Sequence, residues 1–390
     1  MARRRDLAQR RRARGMSQET FADSVGVDRT TVARWESGTT APQPWQRSRI
    51  ADVLDVSLDD LDTLLITLED GVVDDRGDDE RLRHTLQNPS TVDLTATGDL
   101  RARLQHLDAQ YDHVPTTSLL GAAGQLHGQV SYLRANAGNG VVRHRLLAIE
   151  ADSATFMGQL VWDVSRRRDH REPVAYLKQA INAAREFGDP VREAYAVLRS
   201  SYIALYGEKD PTKGAVLADR AAKTAQAASP ALTGLALLHV AEGRAMTGDA
   251  PGCESALLEA EALLNSAATD DTAAEHYTVH EWTRLAGSCY LALGQHERAE
   301  PILRATVHAL SAKRKSQAIA MGNLALALIR QHKLDEAAAA MHRTIDAVEH
   351  TMGGGGLVLA FNAGQELREW RHETWAQEIQ DRLMGLIATT

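Results

Sequence analysis

His276 and His280 stand four positions apart, ahead of Glu281, a spacing that puts two imidazoles on one face of a helix, where they could hold a metal ion. Two ligands are not a site, no third ligand stands at a telling distance, and the internal glutamate of an HExxH arrangement is missing, so no metal is expected. The glycines from Gly353 to Gly356 are not followed by a Lys-Ser or Lys-Thr pair, which a phosphate-cradling loop needs. A serine nucleophile is not indicated either, because no GxSxG stretch lies between a strand and a helix. The chain therefore reads as a non-enzyme without a cofactor, and the chemistry it does offer is that of arginine. Residues 1–49 hold eleven arginines against five acids, a net charge of +6, whereas residues 50–80 hold twelve acids against Arg76, a net charge of −11. Arginine displaces condensed counterions from a phosphate backbone, so this basic head fits double-stranded DNA even though the whole chain carries −8.

Local chemistry places that charge on short helices. Ser17 suits an N-cap, with Glu19 in the first turn and Phe21, Ala22 and Val25 following at helical spacing. Gly26 stops that helix and Asp28 caps the next, with Val27 before the cap and Val32 inside it forming a hydrophobic staple. Val32 and Trp35 then face inward, and the same rotation sends Arg29, Thr30, Ala33, Arg34 and Ser37 outward, until Gly38 ends the helix. The dense acids from Glu69 to Glu80, with Gly71 and Gly77, read as a solvated linker marking a domain boundary.

Gly15, Ser17-Gln18, Phe21-Ala22, Val25-Gly26-Val27, Thr30-Thr31-Val32, Trp35-Glu36, Gly38, Pro42, Ile50-Ala51, Leu54, Val56 and Leu61 together resemble the xenobiotic-response-element, or Cro/C1 repressor, helix-turn-helix family over residues 3–66. The resemblance implies that the third helix enters the major groove, with Arg29, Thr30 and Arg34 as base readers. It makes Gln18 a phosphate contact from a helix N-terminus, adds Thr39 and Thr40 as further phosphate contacts, and pairs Arg11 with Glu36 as a structural ion pair. Trp35 is bulkier than the usual aliphatic residue of the family. Two arginines on a recognition helix favour sites containing guanine, whose O6 and N7 accept paired hydrogen bonds.

From about Asp99 the sequence turns rich in alanine and leucine, and helix-turn-helix layouts recur at intervals near forty. Gly294 to Ala299 and His332 to Ala337 share one layout, and weaker copies stand at Gly248 to Ala256, Gly207 to Ala215 and Gly158 to Ala175. Small residues fit where the two helices of a hairpin cross, and large ones fill the seam between hairpins. Residues 140–350 thus resemble tetratricopeptide repeats of degenerate consensus and long spacing. That resemblance puts the first helix of each hairpin on a groove, and alignment on the turns puts Gln159, Trp162, Ser201, His239, Glu242, Glu281, Arg284 and Asn323 on its surface. Such polar and aromatic groups suit capture of a peptide or small molecule.

At 390 residues the chain suits a small domain plus a repeat array. No run approaches a membrane span, and the basic start Met1 to Arg5 leads into Asp6 and Gln9 rather than an apolar signal segment, so a cytoplasmic protein without a membrane partner is expected. Cys253 and Cys289, 36 positions apart, form no redox motif and read as buried fillers. The expected fold is all-α, a repressor-type helix-turn-helix followed by an α-solenoid of tetratricopeptide-like hairpins. The expected layout is a DNA-binding domain over 1–66, an acidic linker over 67–98, a sensor and dimerisation domain over 99–352, and capping helices over 353–390. The function expected is that of a homodimeric transcription regulator whose repeats bind an effector that alters operator affinity. The alternative is an adaptor whose repeats recruit a partner protein with no small ligand.

Overall fold

The computed structural model describes residues 5–36, 42, 44–56, 61, 75–165, 169–268, 270–273, 279–310, 314–351 and 354–388, and among them every regular element is helical. The chain divides into two compact units, Met1–His84 and Thr85–Thr390.

In the first unit α1 (Arg5–Ala13), α2 (Gln18–Val25), α3 (Arg29–Glu36) and α4 (Pro44–Leu54) enclose a small core. Ser17 caps α2, its hydroxyl accepting the Thr20 N–H at 3.0 Å, and Gly26, with φ of 80°, turns the chain out of the helix in a conformation that favours glycine. Leu7, Phe21, Val32, Trp35, Ile50 and Leu54 are all at most 2% exposed, so the bulky Trp35 is fully accommodated. One ion pair ties α1 to α3: Arg11 Nε donates to Glu36 Oε1 at 2.6 Å, and both side chains are more than nine-tenths buried. The same guanidinium donates to the Met16 carbonyl at 2.5 Å, holding the loop that leads to Ser17. Arg10 donates to the Leu54 and Asp55 carbonyls at the end of α4, and Arg49 donates to the Ser24 carbonyl at the end of α2, where positive charge meets the negative end of a helix. Part of the basic head thus closes the domain rather than facing outward.

The second unit is built from hairpins. The division falls inside α5 (Asp75–Gln87), so the described part of the segment read as a linker is helical. A 3₁₀ turn at Pro89–Thr91 leads to α6 (Leu94–Ala109) and α7 (Thr116–Asn136). Then come α8 (Gly140–Val164) with α9 (Arg171–Phe187), α10 (Pro190–Tyr202) with α11 (Pro211–Ala225), and α12 (Pro230–Met246) with α13 (Ala250–Ser266). After them α14 (Val279–Ala292) pairs with α15 (His296–Ala309), α16 (Arg314–Arg330) with α17 (Leu334–Thr351), and α18 (Gly354–Glu366) with α19 (Thr374–Ala388). The last pair, read as caps, shares one continuous core with the hairpins before it through Leu367, Ile379, Leu383 and Leu386.

Three starts follow one rule: Asp189, Asp210 and Ser229 cap α10, α11 and α12 with a side-chain oxygen, and the proline after each fixes the first helical φ where no N–H is needed. Small residues let the hairpins close. A Cβ on Gly287 would lie 2.7 Å from Leu303 across α14 and α15, and one on Gly234 would lie 2.7 Å from Leu264 across α12 and α13. Cys253 and Cys289 are both fully buried and free.

The Arg11–Glu36 pair generates the first prediction. Arg11→Ala strands a buried carboxylate and should destabilise residues 7–61 by about 3–5 kcal/mol, whereas Arg11→Met combined with Glu36→Leu should recover most of that loss. Amide exchange of α2 and α3 in the full-length protein reads both. A loss below about 1 kcal/mol for Arg11→Ala would contradict the assignment.

Candidate functional site

The first unit presents one helix face. Along α3, Val32, Trp35 and Glu36 are buried while Arg29, Thr30 and Arg34 are exposed, as a 3.6-residue repeat with a single packed side requires. Gln18 stands at the first position of α2 and its amide donates to Glu36 Oε2 at 2.6 Å, which holds the start of α2 against the end of α3. The α2 N-terminus and the α3 outer face are thus locked together through one buried carboxylate. Thr39 and Thr40 lie outside the described residues.

The second unit holds a cavity of 580 Å³, a size typical of small-molecule sites. Its walls come from the first helix of every hairpin: Gln159 and Trp162 of α8, Tyr195, Arg199 and Tyr202 of α10, and His239 and Glu242 of α12. Glu281, Arg284 and Ser288 of α14, Lys315 and Asn323 of α16, and Val358 and Leu359 of α18 complete them. Seven of the eight residues placed on the groove from sequence therefore meet in one space. Ser201 does not: it is fully buried, and its hydroxyl donates to the Leu198 carbonyl within its own helix at 2.7 Å. Its neighbour Tyr202 occupies the cavity wall instead.

Sequence reasoning also missed Tyr111, Asp163, Tyr195, Arg199, Tyr202, Tyr206 and Lys315. A signal for four of the missed wall residues was present, since Tyr195, Arg199, Tyr202 and Tyr206 follow one another at spacings of four, three and four. At Ile203–Glu208 the helix widens to a π turn, which carries Tyr206 onto the same wall.

Polar groups at the cavity centre are bound to one another. Tyr206 donates its phenolic hydrogen to Glu242 Oε2, Ser288 donates to Glu242 Oε1 at 2.8 Å, and His239 Nδ1 lies 3.1 Å from the Tyr206 oxygen. Since the tyrosine hydrogen goes to the carboxylate, the imidazole Nδ1 carries the proton of the His239–Tyr206 contact. Burial raises the Tyr206 pKa, and the Glu242 charge raises it further. Burial also works to raise Glu242, but bonds from His239, Tyr206 and Ser288 outweigh it and hold the carboxyl below its ordinary range. Burial holds the His239 imidazole below its usual 6.5, against the pull of Glu242. The stable centre is thus a neutral histidine, a neutral tyrosine and a carboxylate. Nearby, Arg284 donates through Nε and Nη2 to Glu281 at 2.9 and 2.6 Å, and Tyr111 donates to Asp163 at 2.5 Å.

Among the described residues no group of three metal-ligating side chains occurs, and His276 lies outside them. No described helix is long and apolar enough to cross a membrane.

A short capped helix, a tight turn and a second helix with a basic outer face define a helix-turn-helix DNA-binding module. Residues 7–61 match the family model described as Helix-turn-helix and form such a domain, and an array of helical hairpins follows it in the sequence. No curated protein matches the chain. Among solved structures, the chain is similar to a Rap protein complexed with competence and sporulation factor, at 12% identity and a TM-score of 0.44, covering 75% of this chain and 98% of that one. It is also similar to PlcR of Bacillus thuringiensis in complex with the peptide PapR7 and DNA, at 11% identity and a TM-score of 0.30, covering 94% of this chain and 98% of that one.

The buried histidine gives a pH prediction. Its folded pKa lies below the unfolded value of 6.5, so the unfolded chain takes the proton first, and the stability His239 contributes is full above 6.5 and is lost as pH falls below it. His239→Gln, which cannot titrate, should give a flatter fall in the stability of α12 between about pH 6.5 and 5, by at most about 1.4 kcal/mol per pH unit. Parallel curves for the two proteins, by amide exchange of α12, would show that the imidazole is not held neutral.

Proposed function

We propose that this protein is a transcription regulator that binds operator DNA through α3 as a homodimer and binds an effector, a peptide or small molecule, in the cavity of its helical array. Arg29, Thr30 and Arg34 read base edges, and Gln18, Thr39 and Thr40 contact phosphates. One helix-turn-helix reads only a half-site, which is the reason for the dimer, and the array supplies the contact between subunits. Residues 1–66 act as the DNA-binding part, the acidic segment that follows as a connector, and the array with its last hairpin as sensor.

The observation that carries this reading is the cavity itself. Buried polar and charged groups cost several kcal/mol unless they are paired, and a scaffold needs none of them on its inner wall. Here the first helices of successive hairpins each direct such groups into one space of ligand size. An effector that prefers one state of the array then shifts operator affinity, with about 1–3 kcal/mol, or 5- to 150-fold, as the usual range of such coupling.

The operator comes from selection on random duplex, and titration against selected and random duplex then tests the reading. Arg34→Ala should weaken the selected site by about 1–3 kcal/mol and relax preference at one base pair, while Gln18→Ala should weaken all sequences alike. Equal losses on both duplexes for Arg34→Ala would remove it from base reading. Sedimentation of the free protein and of its operator complex as a single copy would remove the dimer.

A further inference from the structure

Charges around the cavity are unevenly satisfied. Each buried acid on its wall is engaged: Glu242 accepts from Tyr206 and Ser288, Glu281 accepts twice from Arg284, and Asp163 accepts from Tyr111. Among the described residues Arg199 and Lys315 meet no carboxylate within 4.0 Å. Arg199 makes no hydrogen bond to them; its guanidinium lies over Tyr202, 4.9 Å from the ring centroid, and 5.9 Å from that of Tyr195. Lys315 is 5% exposed, and its ammonium sits 3.6 Å over the Tyr111 ring and donates to the Thr116 hydroxyl at 3.0 Å. Of the other cations on the wall, Arg330 donates to Glu366, Lys209 is exposed, and Arg284 uses Nε and Nη2 on Glu281.

Contact with aromatic faces returns about 0.5–2 kcal/mol per cation, less than the cost of withdrawing a full charge from water. Against burial, Tyr195, Tyr202, Tyr111 and Asp163 raise the Arg199 guanidinium above its ordinary value, whereas burial pushes the Lys315 ammonium down to about 8 despite Asp163 and Asp112. These acids therefore do not make good the desolvation of the ammonium.

A second kind of unfilled valence belongs to a residue of the same wall. His239 is 1% exposed and its Nε2 has no partner. With the proton on Nδ1, this nitrogen is an acceptor waiting for a donor. Apolar wall comes from Leu205, Leu235, Ile319, Val358 and Leu359, with the Trp162 ring beside them, and Gln159, Asn323 and Asn362 add neutral polar groups.

We infer that the cavity takes an organic anion, one acidic group held against Arg199 and Lys315, with an apolar or aromatic body carrying an N–H or O–H donor for His239 Nε2. This rests on the reading of the cavity as a ligand site and adds the chemical class of the ligand. The acidic group is the carboxylate of a free organic acid or of a peptide C-terminus, which present the same chemistry to the two cations.

Two dyes with one skeleton test it on the full-length protein. 1-Anilinonaphthalene-8-sulfonate carries an anion and an N–H, and N-phenyl-1-naphthylamine carries the same rings and N–H without the anion. The anionic dye should bind once per chain with a Kd at least tenfold lower than the neutral one. Arg199→Met and Lys315→Met, two independent variants checked for folding by circular dichroism, should each raise its Kd at least tenfold and move the neutral dye less than twofold. Arg199→Lys, which keeps the charge, should keep most of the affinity. Phenylacetate and acetyl-Leu-Leu-Phe, set against their amides, then compete for the bound dye: displacement by the first acid indicates a free acid, and by the second a peptide end. Equal affinity for the two dyes, or equal displacement by acids and amides, overturns the anion class and leaves the cavity as a ligand site. Binding of neither dye to the folded protein overturns both.

Discussion

A first helix inside this stack is packed by its own partner, by the second helix of the preceding hairpin and by the first helices on either side, and this leaves it a single open face. Every polar residue the sequence puts on such a helix must either lie on that face or be answered within the core. α12 shows the constraint at its most severe, because nearly all its residues are buried, His239 and Glu242 included. Close approach makes this so: Gly234 against Leu264 and Gly243 against Ala215 bring α12 within backbone distance of the helices on both flanks. With both flanks closed, His239 and Glu242 can only meet each other, Tyr206 from α10's extension and Ser288 from α14. The cavity is what the same geometry leaves where no further side chain arrives.

The small domain answers a similar constraint with one ion pair. Ten short-range apolar residues cannot alone fix the angle between α1 and α3, and Arg11 and Glu36 do so with defined geometry, extended by the Gln18 amide. A pair of this kind contributes specificity of arrangement more than net stability, since both charges lose their water. It also ties the N-terminus of α2 to the end of α3, the two parts that meet phosphate and base in the proposed complex. Rigidity there has a purpose, because base contacts require the helix to enter the groove at one angle.

Much of this was legible beforehand, and the failures have causes. Ser17, Gly26 and the Arg11–Glu36 pair follow from local chemistry and a dense motif, and the turns read at Gly248, Gly294 and His332 do join paired helices, each with a left-handed backbone. The groove was read by counting back from turns, which assumes 3.6 residues per turn throughout. In α10 that assumption breaks, since the π turn at Ile203–Glu208 inserts an extra residue before the hairpin, and the count lands on Ser201 instead of Tyr202. Tyr111 escaped because it precedes the region that resembles repeats, and Lys315 because its role depends on a ring about two hundred residues away in sequence. The acidic run after the first domain read as a linker by composition, and its described part from Asp75 to Gln87 is helical.

Stacked repeats ordinarily interact with nearest neighbours alone, so their stability is a sum of local terms and a disturbance fades along the array. The cavity departs from that rule, because its walls are drawn from six successive hairpins, from Gln159 in α8 to Leu359 in α18. A ligand in contact with Arg199, His239, Arg284 and Lys315 would touch four hairpins at once. Its binding free energy then favours one mutual arrangement of the array as a whole, rather than of any single hairpin.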